Sequence, residues 1–293
     1  MKRILKKPSI RILEDKNEKY IYNFGSAELL ADGSFFICAR QITSLGDPFG
    51  RIAAVRYYLD DSKVIPATPP NIRDVQKYPE KGYLMCHVTE MSKNNLIAIY
   101  VMIDTDKTKP LFSKANNGMQ RAVCRISRSV DSGETWSNGE DLAYTHGDLI
   151  IPGKMQMSKD GTIGFPVEMR NVYDEDYVEG IQARFVYSTD GGITFDKMSR
   201  IAHDPDVLAG DARCTFDCSD NLVIYFWCFD LNSGFDLDNH RSVSRDSGRT
   251  FERIAPVDLH MQITSPMYIN DDTIIAIYQE RFSDSCGIKA AIS

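Results

Sequence analysis

Three segments decide the reading of this chain: Ser129-Val-Asp-Ser-Gly-Glu-Thr-Trp136, Ser188-Thr-Asp-Gly-Gly-Ile-Thr-Phe195 and Ser244-Arg-Asp-Ser-Gly-Arg-Thr-Phe251. They share the pattern S-x-D-x-G-x-T-[WF], and their starts lie 59 and 56 residues apart. Asp and Ser side chains bond nearby backbone groups in turns. Gly supplies a backbone angle that other residues avoid, and the aromatic residue anchors the turn against a sheet. Each box therefore predicts a rigid hairpin turn between two strands, structural rather than catalytic. A degenerate copy at Tyr58–Ile65 keeps only Asp60 at the third place.

A second motif precedes each box. It reads strand, polar turn, strand in Ala27–Ile37, Lys154–Phe165, Ala212–Tyr225 and Pro266–Ile277. Asp32-Gly33 and Asp160-Gly161 are strong hairpin signals. Tyr83–His87 and Leu96–Met102 form the same pair around a longer turn. The unit is thus strand, hairpin, strand, variable loop, strand, box, strand. That is a four-stranded antiparallel sheet, the blade of an all-β propeller. Five units start near residues 24, 81, 152, 210 and 264. Blades bury their faces on one another, so residues 1–293 read as a single domain.

The last stretch, Gly287–Ile292, resembles the strand before each box. Residues 2–13 hold the place that a fourth strand such as Glu252–Val257 holds elsewhere. Part of residues 2–13 is therefore expected to pair antiparallel with Gly287–Ile292 and close a five-bladed ring. Pro8 would then fall at an edge or bulge, since it offers no N–H. The alternative is a truncated six-bladed ring with an exposed apolar flank.

Composition narrows the function. The 293 residues are 43% hydrophobic and 26% charged, as in ordinary globular proteins. A net charge of −7 argues against a general nucleic-acid partner, which calls for a basic face. Apolar runs such as Leu222–Phe229 are too short to span a bilayer, so no membrane partner is expected. The N-terminal MKRILKKPSIRIL has a basic start without a following apolar run. The expectation is a cytoplasmic protein, or a secreted one if an export signal has been trimmed. Seven cysteines with no CxxC pair fit free thiols. Cys214 and Cys218, if on one strand, would stand about 13 Å apart, too far for one zinc. The five histidines show no ligand spacing. The acidic loops Asp174–Glu179 and Asp230–His240 match no EF-hand and read as solvated rim loops. No metal and no cofactor is expected. Phosphate-loop, GxSxG and dinucleotide motifs are absent from the sequence.

The box resembles the Asp-box, or BNR repeat, of the sialidase-like (neuraminidase) superfamily, over roughly residues 20–293. Gly153–Val167, with its box at Ser188, resembles the third blade of sialidases. Ala39–Arg56 resembles their first-blade loop, where the family carries an Arg and then an Asp acid/base; these would be Arg40 and Asp47. The family's first carboxylate-binding Arg opens blade one, whereas Tyr22–Ala27 holds no Arg here. Asp211 stands where the family has a Glu, and no residue matches its nucleophilic Tyr. The resemblance implies a carbohydrate ligand and a glycoside hydrolase acting on a glycan or acidic sugar at the channel mouth. The alternative is a non-catalytic propeller that binds a glycan or protein partner.

Polar residues near inner-strand ends supply the candidate site. Asp47, Glu168 and Asp211 are the expected catalytic carboxylates, since carboxylates from different blades can act as acid and base on a glycosidic bond. Arg40, Arg170, Arg213, Glu280 and Arg281 are the expected substrate-binding residues, with arginines suited to an anionic sugar.

Overall fold

The computed structural model describes residues 19–60, 62–115, 118–142, 148–173, 182–202, 206–257, 262–270, 273–280 and 287–292. They form a β-propeller of five antiparallel blades. Blade one comprises β1 (Ile21–Leu29), β2 (Ser34–Ile42), β3 (Arg51–Tyr58) and β4 (Lys63–Pro66). A short helix, α1 (Ile72–Lys77), leads to blade two: β5 (Gly82–Ser92), β6 (Asn95–Ile103), β7 (Ala122–Ser129) and β8 (Glu140–Asp141). Blade three comprises β9 (Asp148–Ile150), β10 (Gln156–Met157), β11 (Ile163–Arg170), β12 (Gln182–Ser188) and β13 (Lys197–Ala202). Blade four is β14 (Val207–Phe216), β15 (Leu222–Asp230), β16 (Asp236–Ser244) and β17 (Ala255–Pro256). Blade five contributes β18 (Gln262–Asn270), β19 (Thr273–Glu280) and β20 (Gly287–Ile292).

Antiparallel pairing sends the inner hairpins and the boxes to one end of the molecule. In blade one, Leu29 faces Phe35, and Phe35 faces Tyr57. The opposite end, the mouth, receives the second-to-third-strand loops and the connections between blades. All three boxes build one turn. The Thr135, Thr194 and Thr250 N–H groups donate to Asp131, Asp190 and Asp246 Oδ1 at 2.9, 3.0 and 2.8 Å. The preceding serine Oγ accepts the glycine N–H at 2.8 Å in the first and third boxes. Gly248 has φ +91°, and a Cβ there would strike the Phe185 ring, so only glycine fits. Trp136 and Phe195 are buried beneath their turns and Phe251 is half-buried.

The core lies between blades. Phe36, Cys38, Ile52 and Ala54 of blade one meet Cys86, Val88, Ala98 and Tyr100 of blade two. Ile97, Ile99 and Val101 continue into Ile163, Phe165 and Val167 of blade three. Ala183 and Phe185 then meet Ala209, Ile224 and Phe226 of blade four. Between these clusters the connection through α1 is pinned by ionic and polar bonds. Asp74, 2% exposed, accepts from Tyr100 Oη at 2.6 Å and pairs with Arg125 Nε at 2.7 Å. Cys38, Cys86, Cys124, Cys214 and Cys228 are buried, while Cys218 is exposed beside the β14–β15 hairpin. Cys214 lies on β14, which ends at Phe216, and Cys218 in the turn beyond it, so the two are not on the one strand that the sequence reading assumes.

The innermost strands of blades one, two, four and five break register in their first half, toward the mouth. The shifts fall between Asn23 and Ser26, Tyr83 and Cys86, Gly210 and Arg213, and Gln262 and Ser265. In blade three the inner strand splits outright into β9 and β10, both paired with β11. Such bulges bend a strand and re-aim its side chains. Phe24 and Asp211 sit in them at φ +49° and +51°.

Blade five packs on blade four through β14 and β18, and no comparable packing joins it to blade one among the described residues. Register puts Met267, Ile275 and Ile292 in one row, beside Ser265, Ile277 and Ala290. Met267, Ile277, Ile288 and Ile292 on that face are exposed. The flank is thus apolar, and β20 is the last strand of its sheet among the described residues. The expected pairing of residues 2–13 with β20 lies outside the described residues.

Candidate functional site at the channel mouth

The first-blade loop between β2 and β3 folds back on itself. Arg40 is 1% exposed. Its Nε donates to the Tyr83 carbonyl at 3.0 Å and its Nη2 to the Asp47 carbonyl. Burial pulls its pKa down to about 10, which still leaves it charged at neutral pH. Asp47 is half-buried. Its Oδ1 accepts Phe49 N–H at 2.8 Å, and its Oδ2 accepts Thr43 Oγ1 at 2.8 Å and Thr43 N–H at 3.2 Å. Burial pushes the Asp47 carboxyl up, but these bonds and the Arg40 charge outweigh it and hold the group below the usual range. Arg40 is therefore occupied in holding the loop to blade two, and Asp47 is held as an anion.

A second cluster spans blades three and four. Glu168, on β11, is 1% exposed. Its Oε1 pairs with Arg170 Nη2 at 2.6 Å and its Oε2 accepts Asp211 N–H at 3.1 Å. That N–H is released from the ladder by the bulge in β14. Burial is the largest influence on Glu168 and raises its pKa; Arg170 opposes the rise and Asp211 adds to it. A Cβ on Gly210 would come within 3.2 Å of Glu168 Oε2, so a side chain there would push the carboxylate aside by a few tenths of an ångström. Asp211 itself is half-buried on the channel wall. Arg213 Nη1 is buried with no hydrogen-bond partner, and burial lowers the pKa of the group. The Arg170 guanidinium lies 5.0 Å from the centroid of the Phe112 ring.

Of the expected residues, Glu168, Arg170, Asp211 and Arg213 are brought together, while Arg40 and Asp47 form their own group in blade one. Glu280 closes β19. Arg281 lies outside the described residues, as does the loop Asp174–Glu179. In the second acidic loop, Asp230 Oδ1 accepts Asn232 and Ser233 N–H, an ordinary turn.

Three features carried no motif in the sequence. His87 Nε2 donates to the Ile151 carbonyl at 2.8 Å, tying blade two to blade three. Its burial, with Arg213 and Lys154 nearby, pushes its pKa down to about 3, so the ring is neutral. Lys154 Nζ pairs with Glu28 Oε2 at 2.6 Å, linking the inner strands of blades three and one. Loop 104–121 brings Phe112 beneath Arg170. Its only sequence signal is the interleaving of Lys107, Lys109 and Phe112. Cavities of about 780 Å³, between the outer parts of blades three and four, and about 460 Å³, between blades one and two, are lined by none of these carboxylates.

The fold is similar to the propellers of solved sialidases. A protein of unknown function from Dyadobacter fermentans superposes with a TM-score of 0.73 at 17% identity, over 94% of this chain and 79% of that one. The NanB sialidase of Streptococcus pneumoniae superposes at 0.66 and 12% identity over 99% of this chain and 61% of its own. The intramolecular trans-sialidase of Ruminococcus gnavus gives 0.66 and 11% identity over 91% and 79%. The chain thus spans about three fifths of NanB. No family model and no curated protein matches the sequence. Identities this low establish the fold and leave chemistry to the site.

Proposed function

We propose that this chain is a carbohydrate-active propeller that binds a glycan at the mouth, with Asp211 as the group that meets the scissile bond of a glycoside. The observation that supports this most is the bulge in β14. It sets an acidic residue in a left-handed backbone conformation on the channel wall, and a buried carboxylate from the next blade takes its N–H. Strained non-glycine residues concentrate at functional sites.

Glu168 is too deeply buried to touch a ligand directly, so its role in this reading is positioning: it fixes Asp211 and Arg170. Arg170 and Arg213 would receive an acidic group of the sugar. Asp47, ionised and half-exposed, suits a general base better than an acid. Glu280 and Arg281 remain the blade-five candidates for substrate contact.

The test is a screen of purified protein against chromogenic glycosides, sialosides included, with Asp211→Asn alongside. Hydrolysis that survives unchanged in Asp211→Asn would remove the assignment. A second reading, a glycan- or protein-binding propeller without catalysis, is favoured by one observation: the Asp47 carboxylate is turned into its own loop. Glycan retention without turnover of any substrate would select it.

A further inference from the structure

The hairpin that joins β15 to β16 at the mouth is ordered to its tip. Asp230 N–H donates to the Phe235 carbonyl at 2.9 Å, and Gly234 N–H to the Asp230 carbonyl at 2.9 Å. Asp230 Oδ1 accepts Asn232 N–H at 2.8 Å and Ser233 N–H at 3.2 Å. The tip is tied to the residue before β14: Leu231 N–H donates to the Asp206 carbonyl at 2.9 Å, and Asn232 Nδ2 to Asp206 Oδ1 at 3.0 Å. This frame holds Phe235 71% exposed and Leu231 48% exposed. The backbone order of the tip is thus set before any ligand arrives, which lowers the entropy cost of binding there.

Further along β15 stands Trp227, half-buried. Its Cα partner is Gly210, the residue before Asp211, so no side chain of β14 stands directly opposite the indole. The ladder slips by one residue on both sides of Trp227, toward β14 between Gly210 and Arg213 and toward β16 between Phe226 and Cys228. Bulges re-aim side chains, and a glycine inside a strand often marks the close approach of a ligand. Asp236 Oδ1 accepts Trp227 Nε1–H at 2.6 Å, and the Phe229 ring lies 5.8 Å from the indole between centroids. Asp236 Oδ2 accepts no hydrogen bond among the described residues. Phe235, Asp236 and Trp227 therefore lead from the rim to the strand position beside Asp211. Residues 222–240 contain Asp230, Asp236 and Asp238 and neither Lys nor Arg. Residues 203–205 and 281–286, Asp204 and Arg281 among them, lie outside the described residues.

We infer that this hairpin, from Phe235 through Asp236 to Trp227, is a binding site for uncharged pyranose units of a glycan. An aromatic face receives the apolar C–H side of the ring, and a carboxylate oxygen accepts a ring hydroxyl. The same carboxylates repel sulfate esters and uronates, which selects neutral units. The inference rests on the proposed glycan-binding function of the mouth and names the units bound on its blade-four side.

Tryptophan emission reads this site directly. The chain has two tryptophans, and Trp136 is 2% exposed beneath its box. Oligosaccharides of glucose, galactose, mannose and xylose are titrated into the full chain, with oligogalacturonate as the charged counterpart of the galactose series. Binding is followed by emission, by protection from iodide quenching and, independently, by calorimetry. At least one neutral oligosaccharide is expected to shift the emission, to protect it from iodide, and to bind about tenfold more weakly to Phe235→Ala. Phe235 is exposed, and a thermal melt confirms that the variant is folded. Trp227→Phe should remove the iodide-quenchable emission; its persistence overturns the placement of the site. Failure of every neutral oligosaccharide to bind overturns the inference. So does unchanged affinity in Phe235→Ala, or tighter binding of oligogalacturonate than of the galactose series. Wild type that sediments as a dimer, with Phe235→Ala a monomer, assigns the tip to a contact between copies and overturns the sugar site. Calorimetric binding without an emission change keeps the mouth as a glycan site and overturns the hairpin. An emission response with no glycoside hydrolysed sustains the hairpin and defeats only the enzymatic reading. Hydrolysis with no emission response does the reverse.

Discussion

The two ends of this propeller follow opposite rules. At the box end three blades repeat one turn almost atom for atom: Ser Oγ to Asp Oδ1 is 2.7, 2.6 and 2.7 Å in the first, second and third boxes. At the mouth no two blades agree. Blade one offers a buried Arg40 clamped to Tyr83, blade two a loop organised by the buried Gln120, blade three a buried Glu168 and blade four a strained Asp211. The repeat keeps the blades in register at one end, which frees the other to differ from blade to blade. Stability should therefore respond mainly to changes at the box end and its underlying core, and activity mainly to changes at the mouth.

The sharpest test of that division is Phe185→Ala. The ring is 0% exposed, contacts Phe251 at 5.9 Å between centroids, and fills the space that Gly164 and Gly248 leave open. Its removal should cost about 3–5 kcal/mol of stability, read by denaturant unfolding. A loss under about 1 kcal/mol would mean that the box end is not where the blades are held. At the other end, Asp211→Asn should leave the melting temperature close to wild type while lowering kcat/KM on any accepted glycoside by about 100-fold or more. A variant that unfolds without losing specific activity would reverse the comparison.

Between the two ends lies His87, which predicts a pH response. Its folded-state pKa of about 3 lies below the ordinary 6.5. The unfolded chain therefore binds the extra proton first. The stability contributed by the neutral ring is complete above pH 6.5 and is lost as pH falls toward 3, at about 1.4 kcal/mol per pH unit. Glu168, whose pKa is raised, acts in the opposite sense, since its protonation below its folded pKa favours the native state. Melting temperatures of wild type and His87→Gln measured from pH 7 to pH 5 should diverge in slope; parallel slopes would assign the acid sensitivity to other groups. A smaller effect is expected for Asp246→Ala, which removes bonds from Thr250 N–H, Thr250 Oγ1 and Ser244 Oγ. About 1–2 kcal/mol should be lost, with substrate turnover unchanged.

The same division explains what could be read from the chain. The box end is local: eight consecutive residues contain the acceptor, the donors, the glycine and the anchor, so a pattern reveals it. The five blade starts, read from the hairpin motif that precedes the boxes, fall within four residues of the starts of β1, β5, β9, β14 and β18. The mouth is non-local. Asp47 is where an acid/base residue would stand, but whether its carboxylate faces a ligand or its own loop depends on Thr43 and Phe49. Glu168 meets Asp211 across 43 residues and a one-residue register slip that no periodicity records. Arg40 reads as a ligand arginine by position, yet its hydrogen bonds go to the carbonyls of Tyr83 and Asp47.

The distribution of thiols gives the molecule a built-in clock. Cys38 belongs to blade one, Cys86 and Cys124 to blade two, and Cys214 and Cys228 to blade four, all buried, whereas Cys218 is open to solvent at the box end. An alkylating dye added to native protein should therefore label Cys218 first among the described cysteines, away from the mouth. As denaturant rises, the order in which the others become reactive reports which blade separates from its neighbours first.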